Sequence, residues 1–116
     1  MPAPTQRPVA GDSDDGRRAG LPALPRPWLH GLDEFLAWME VARSASPHTL
    51  TAYRADCIEL FEILAYGGFD AFAPGRPGVE AFFATQHRRH APATIARKLA
   101  AVRCLYRFWK RRGRVA

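Results

Sequence analysis

Apolar residues recur at helical spacing in four segments after Trp28, and nowhere does the chain show the strict alternation of a half-buried strand. The first segment runs from about Leu32 to Ala42, with Phe35, Leu36, Trp38 and Met39 forming a wide apolar face. Asp33 and Glu34 fall at its expected start, where acidic side chains suit the positive end of the helix dipole. The second segment opens at Ser46-Pro47. Ser46 is a favourable N-cap, and Pro47 fits the first helical position, where no backbone N–H is needed. Leu50, Tyr53, Cys57, Leu60, Phe61 and Leu64 follow on one face, until Gly67-Gly68 supplies a left-handed stop. Residues 69–76, with Pro74 and Gly75, read as a loop. A third helix starts near Pro77 and includes Val79, Phe82 and Phe83. A fourth opens around Ala91-Pro92 and runs to about Arg112, with Gly113 as its stop. The pattern predicts an all-α, compact four-helix bundle over residues 28–116, large enough to fold alone.

Residues 1–27 are different. They hold six of the ten prolines and three of the nine glycines, with almost no large apolar side chains. Such a segment cannot bury enough surface to offset the entropy of ordering, so a disordered tail is expected. Its Asp12-Ser13-Asp14-Asp15-Gly16 faintly resembles a calcium loop, but the ligand register is wrong and Ala23 stands where the closing Glu belongs.

Length and composition narrow the function classes. At 116 residues the chain has room for one domain and argues against a self-contained large enzyme. No apolar run approaches the length of a spanning helix, and the start lacks the basic and apolar regions of a secretory signal. A cytoplasmic protein is the expectation. Cys57 and Cys104 make neither a disulfide framework nor a metal knuckle, and with no base nearby in sequence they read as inert thiols. His87 and His90 have ligand spacing, but no Cys, Asp or Glu completes a set. No glycine-rich phosphate loop is present. No cofactor, no metal and no small-molecule substrate are expected.

Charge changes the picture more. The net charge is +6, and it is polarised. Residues 31–75 carry two basic and seven acidic side chains, whereas residues 76–116 carry eleven basic and one acidic. At about 100° per residue the fourth helix separates into two stripes. Ile95, Leu99, Val102, Tyr106 and Trp109 form the expected core face. Arg103, Arg107, Lys110 and Arg114 form a basic row beside it, with Arg97 and Arg111 at its edge. A basic row next to an apolar face that fixes its orientation can follow a phosphate backbone or enter a groove. Arginine predominates, and arginine forks onto phosphate and guanine edges better than lysine does. The bland alternative is a surface helix made soluble by arginines. At the start of the second helix His48, Thr49, Thr51 and Arg54 lie where unpaired backbone N–H groups attract phosphate. Thr49 could equally be a plain helix-start residue, and Arg54 could simply pair with Asp33 or Glu59.

The stretch from Ser46 to Asp56, Ser-Pro-His-Thr-Leu-Thr-Ala-Tyr-Arg-Ala-Asp, resembles the "S-x-x-T-L-x-x-Y-x-x-D-L" pattern of tyrosine recombinases. Ala91 to Arg103 resembles that family's "L-S-x-x-S-I-x-R-x-L-S-A-L-R", and Cys104-Leu105-Tyr106-Arg107-Phe108-Trp109 its "S-F-Y-R-F". Phe35-Leu36-Ala37-Trp38-Met39 resembles its first helix. The similarity is to the N-terminal SAM-like, core-binding domain of Xer-type recombinases and phage integrases, over about residues 30–113. It implies a SAM-like four-helix domain forming one half of a clamp on duplex DNA, with the second and fourth helices at the major groove. The contact candidates it implies are His48, Thr49 and Arg54, and Thr94, Arg97, Lys98, Arg103 and Arg107. It makes Tyr53 a packing residue with a hydroxyl near the contact surface. Asp56 becomes a group that orients a neighbouring arginine, and the first helix a contact between recombinase protomers.

There are departures from the pattern. Ala91 stands where the family often has a capping Ser, so either Thr94 caps or the helix start is weaker by about 1 kcal/mol. Cys57 replaces a usual leucine. The family's catalytic Arg, Lys, His-x-x-Arg and nucleophilic Tyr would follow residue 116. Tyr53, Tyr66 and Tyr106 read instead as structural aromatics. The expectation is a non-catalytic DNA-binding domain, a fragment of a longer recombinase or the product of a truncated gene. Two alternatives come from other classes: a helical protein-interaction module whose basic face meets an acidic partner, and a helix-turn-helix regulator. The eight-residue loop from Phe69 to Arg76 fits the latter poorly.

Overall fold

A computed structural model describes residues 23–115 as four helices in the order expected, with no strand among them beyond an isolated bridge between Asp70 and Ala73. We number the helices α1 (Arg26–Ala42), α2 (Pro47–Tyr66), α3 (Gly75–Arg89) and α4 (Pro92–Arg111). The expected tail boundary falls inside α1, which starts at Arg26 rather than near Leu32. Prolines misdirect the sequence reading there: Pro27 sits in the first turn, where a proline loses no helical hydrogen bond. What holds the extra turn is Trp28, buried edge-on against Phe61 with ring centroids 5.6 Å apart. Leu24, just ahead of the helix, also packs against the core. Residues 1–22, which hold most of the predicted tail and Asp12–Gly16, lie outside the described residues. Because α1 starts early, Asp33 and Glu34 lie in mid-helix and do not serve its dipole. They pair instead with Arg54 and with Arg114 and His30.

The boundaries of α2 and α4 follow local chemistry. Ser46 Oγ accepts the Thr49 amide at 3.1 Å, and Pro47 opens the helix. At its other end the chain turns through Gly68 at φ +79°, and the Phe69 amide reaches back to the Leu64 carbonyl at 2.8 Å. Gly113, at φ +76°, ends α4 in the same way. α3 begins at Gly75, two residues before Pro77.

Trp109 organises the core. It is fully buried, stacks on Phe61 at 5.9 Å and meets Phe72 at 4.6 Å. Its indole N–H donates to the Gly31 carbonyl at 3.1 Å, and a Cβ on Gly31 would stand 3.0 Å from the ring. Glycine at that position lets α4 lie directly on α1.

The predicted core face of α4 is rotated from the observed one. Ile95 and Trp109 are buried as expected, but the rest of the buried set is Ala101, Leu105 and Phe108. Leu99, Val102 and Tyr106 are only half-buried and line an apolar groove toward Val79, Phe82 and Phe83 of α3. The apolar arc of α4 is wider than one helix can cover. α1 and α2 pack over its Ala101–Phe108 side, and the slight contact with α3 leaves the other side open.

Candidate nucleic-acid interface

The middle of α2 and the start of α4 are joined by a charge network that the sequence patterns only partly announce. Asp56 sits on the packed face of α2, with its side chain 1% exposed. A buried carboxylate is costly unless its oxygens are paired. Here Arg97 Nη1 donates to Oδ2 at 2.7 Å and Lys98 Nζ to Oδ1 at 2.9 Å. Lys98 Nζ also lies 2.9 Å from Glu59 Oε1. Glu59 Oε2 in turn meets Arg89 Nη1 at 3.0 Å and His90 Nε2 at 3.1 Å. Burial alone would raise the Glu59 pKa, but Lys98, His90 and Arg89 outweigh it and hold the carboxyl down at about 2. For Lys98 burial likewise opposes the charge, and Asp56 and Glu59 overcome it, raising its pKa above the ordinary lysine value. The network therefore ties the middle of α2 to the end of α3 and the start of α4.

Each candidate contact residue has a definite place. His48 and Thr49 stand in the first turn of α2; His48 is exposed, and Thr49 completes the cap as the partner of Ser46 Oγ at 3.1 Å. Arg54 donates to Asp33 Oδ1 at 3.1 Å, yet about half of its side chain stays open. Thr94 is half-buried and does not cap α4. Ala91 is the N-cap with no side-chain bond, so the weaker of the two expected starts is the one observed. Arg97 and Lys98 share Asp56 but differ in access: Arg97 keeps 51% of its side chain exposed and Lys98 only 12%. Lys98 is thus committed to two carboxylates, while Arg97 is held at one edge and open at the rest. Arg103 and Arg107 are exposed and make no ion pair among the described residues, and the same holds for Lys110. Arg114 leaves the expected basic row. Beyond Gly113 it turns back to Glu34 Oε1 at 2.7 Å and lies over Phe72.

Sequence reasoning anticipated that Asp56 would orient an arginine, but missed that it holds Lys98 as well. A polar residue between Tyr53 and Cys57 on an apolar face was the available signal. The link from Glu59 to Lys98 and Arg89 carries no local signal. Tyr53 packs as expected, parallel to Phe35 at 6.4 Å. Tyr106 donates its hydroxyl to the Ala71 carbonyl at 2.7 Å, and burial raises its pKa. Tyr66 is exposed. Cys57 is a buried free thiol whose pKa burial pushes up, and Cys104 Sγ lies 4.0 Å from Met39 Sδ. Among the described residues no cluster of three or more His, Cys, Asp or Glu side chains is placed to hold a metal. Nor is any helix among them long and apolar enough to cross a membrane.

The sequence profile described as "Phage integrase, N-terminal SAM-like domain" matches residues 32–113, most of the described chain. Among curated proteins, the chain is 37% identical over 93 residues to a tyrosine recombinase XerC of Chlorobaculum parvum, covering 73% of this chain and 28% of that protein. A XerC of Xylella fastidiosa is 36% identical over 90 residues, covering 73% of this chain and 30% of the relative. A tyrosine recombinase XerD of Caulobacter vibrioides is 40% identical over 77 residues, covering 66% and 25%. The chain thus spans less than a third of the length of these relatives. No solved structure gives a significant match.

Proposed function

The chain belongs to the phage-integrase N-terminal SAM-like domain family, and from that premise we propose that it is the non-catalytic, DNA-gripping domain of a tyrosine-type recombinase. It binds duplex DNA at a recombination core site with the start of α2 and the outer face of α4. The observation that carries this reading is the row Arg103, Arg107 and Lys110, exposed on one helix without an ion pair among the described residues. Like charges held together without counterions inside the protein are stabilised by a polyanion outside it. His48, Thr49, Arg54, Thr94 and Arg97 complete the surface, and Lys98 supports it from beneath through Asp56. Partners are double-stranded DNA and other recombinase protomers, and the setting is the cytoplasm. Strand cleavage belongs to a catalytic domain of the kind that makes up the rest of a full-length recombinase.

The test is a binding titration of the chain against random-sequence duplex at two salt concentrations. Affinity is expected to fall steeply with salt, by about 0.9 in log-log slope for each phosphate engaged. Salt-independent binding overturns the reading. One observation favours a second reading, an acidic protein partner: Arg103 also borders the apolar groove of Val79, Phe82, Phe83, Leu99, Val102 and Tyr106. Competition by nonspecific duplex separates the two.

A further inference from the structure

A second group of arginines stands where α1 and α4 end, outside the contact candidates already named. Trp38 is half-buried on α1, 5.3 Å from Phe108 and 6.4 Å from Phe35, ring centroid to ring centroid. Two guanidinium groups lie over its ring: Arg111 of α4 at 4.9 Å and Arg43 of the α1–α2 turn at 5.7 Å. Both are exposed, and neither has an ion pair among the described residues. Arg112 lies over the adjoining Phe108 ring at 5.0 Å. Part of this arrangement is ordinary, since cations at helix C-termini offset the dipole. That does not account for two arginines gathered on one indole, whose charges repel. A guanidinium held over a ring and otherwise exposed has N–H groups available for a phosphate, and the ring contact removes part of the ordering entropy in advance.

Position on α4 ties this group to the proposed interface. Arg97 and Arg111 are fourteen residues apart, so they share one side of the helix at a separation of about 21 Å. Along one strand that is about six phosphates. Arg43 precedes His48 by five residues, at the turn that leads into the contact end of α2.

We propose that Arg43 and Arg111, mounted on Trp38, form a phosphate clamp that extends the DNA-contact surface from Arg97 to the far end of α4. This rests on the DNA-binding reading above. The clamp neutralises two backbone phosphates and contributes to affinity without reading sequence.

The experiment compares the 116-residue chain with its Arg43→Gln/Arg111→Gln and Arg43→Lys/Arg111→Lys variants, titrated against a random-sequence duplex over a range of salt. Circular dichroism and thermal melting confirm the fold of each. The Gln pair gives up two ring contacts and two helix-end charges, so it is expected to keep the helical spectrum and a cooperative transition while melting slightly below the other two. Binding is compared well below that transition. The Gln pair is expected to lower the log-log salt slope by about two and to weaken binding at least severalfold at low salt. The Lys pair is expected to restore the slope while leaving part of the affinity loss, because lysine keeps the charge but not the planar fork of donors. A Gln pair that binds with the slope of the unaltered chain overturns the clamp and leaves the DNA reading standing. An unaltered chain that fails to bind duplex at low salt overturns both.

Discussion

The two ends of α4 carry similar charge and use it differently. At its start Arg97 and Lys98 face Asp56 and Glu59 across the α2 contact, and Lys98 is almost enclosed. In its second half Arg103, Arg107 and Lys110 face solvent with no ion pair among the described residues. The first group is structural by construction: two carboxylates in a packed contact are tolerated only because cations meet them. The second is idle in the folded chain and costs it some self-repulsion. A count of basic residues treats the groups alike. Their environments separate a clamp that holds the helices together from cations left open to solvent, with Arg97 at the boundary between them.

Removing the carboxylate at the closed end is the strongest way to test this division. Asp56→Ala leaves Lys98 and Arg97 without their shared partner and is expected to destabilise the fold by about 3 kcal/mol, read by urea unfolding. A loss below about 1 kcal/mol would show that the network is not a structural tie. The open end should behave oppositely. Arg103→Gln is expected to leave stability within about 0.5 kcal/mol. It should weaken duplex binding by about 1–3 kcal/mol where the side chain meets a base edge, and lower the salt slope by about one where it meets a phosphate. An Arg103→Gln chain that melts early but binds normally would reverse the assignment.

Acid sharpens the same contrast. The Glu59 carboxyl is held at about 2 in the folded chain, below its ordinary value. Its contribution is therefore fully present above the unfolded carboxylate range near 4.3 and is lost as pH falls toward 2. Glu59→Gln should be less stable than the parent at neutral pH and should lose less on acidification; parallel stability curves for the two chains would refute the linkage. The smallest effect lies away from both ends. Ser44 holds φ +54° in the tight turn between α1 and α2, a left-handed conformation that a Cβ disfavours. Ser44→Gly is expected to raise stability by about 0.5–1 kcal/mol, visible as a modest increase in melting temperature.

Much of the fold was legible because its signals are local. Ser46-Pro47 capped a helix as its chemistry dictates, and Gly68 and Gly113 ended helices in the left-handed conformation that glycine permits. The order of elements followed from four runs of helical periodicity. Two features were misread for identifiable reasons. Pro25 and Pro27 resembled a tail, although prolines in a first turn are compatible with a helix, and the early start of α1 depended on where Trp28 could be buried. On α4 the periodicity marked a wide apolar arc without its centre, because Ala101 offers little hydrophobic signal yet permits the close approach that makes it core.

The candidate site divides along the same line. That α4 is basic, that α2 starts with polar side chains, and that the chain resembles a recombinase domain are properties of residue types and spacings a few positions apart. The sequence by itself therefore determined the order of the helices, the cap of α2, the glycine stops of α2 and α4, and the family the chain belongs to. Which cations remain available was decided only in three dimensions. Arg97 and Lys98 meet a carboxylate 41 and 42 residues away, and Arg114 meets Glu34 at a separation of 80. No helical period spans such distances. Those pairings come from the angle at which α1 and α2 cross α4, set by the packing of Trp109 on Gly31 and Phe61. Burial then imposed the electrostatic requirement that Asp56 and Glu59 take the nearest cations, leaving the rest of the arginine row to face outward.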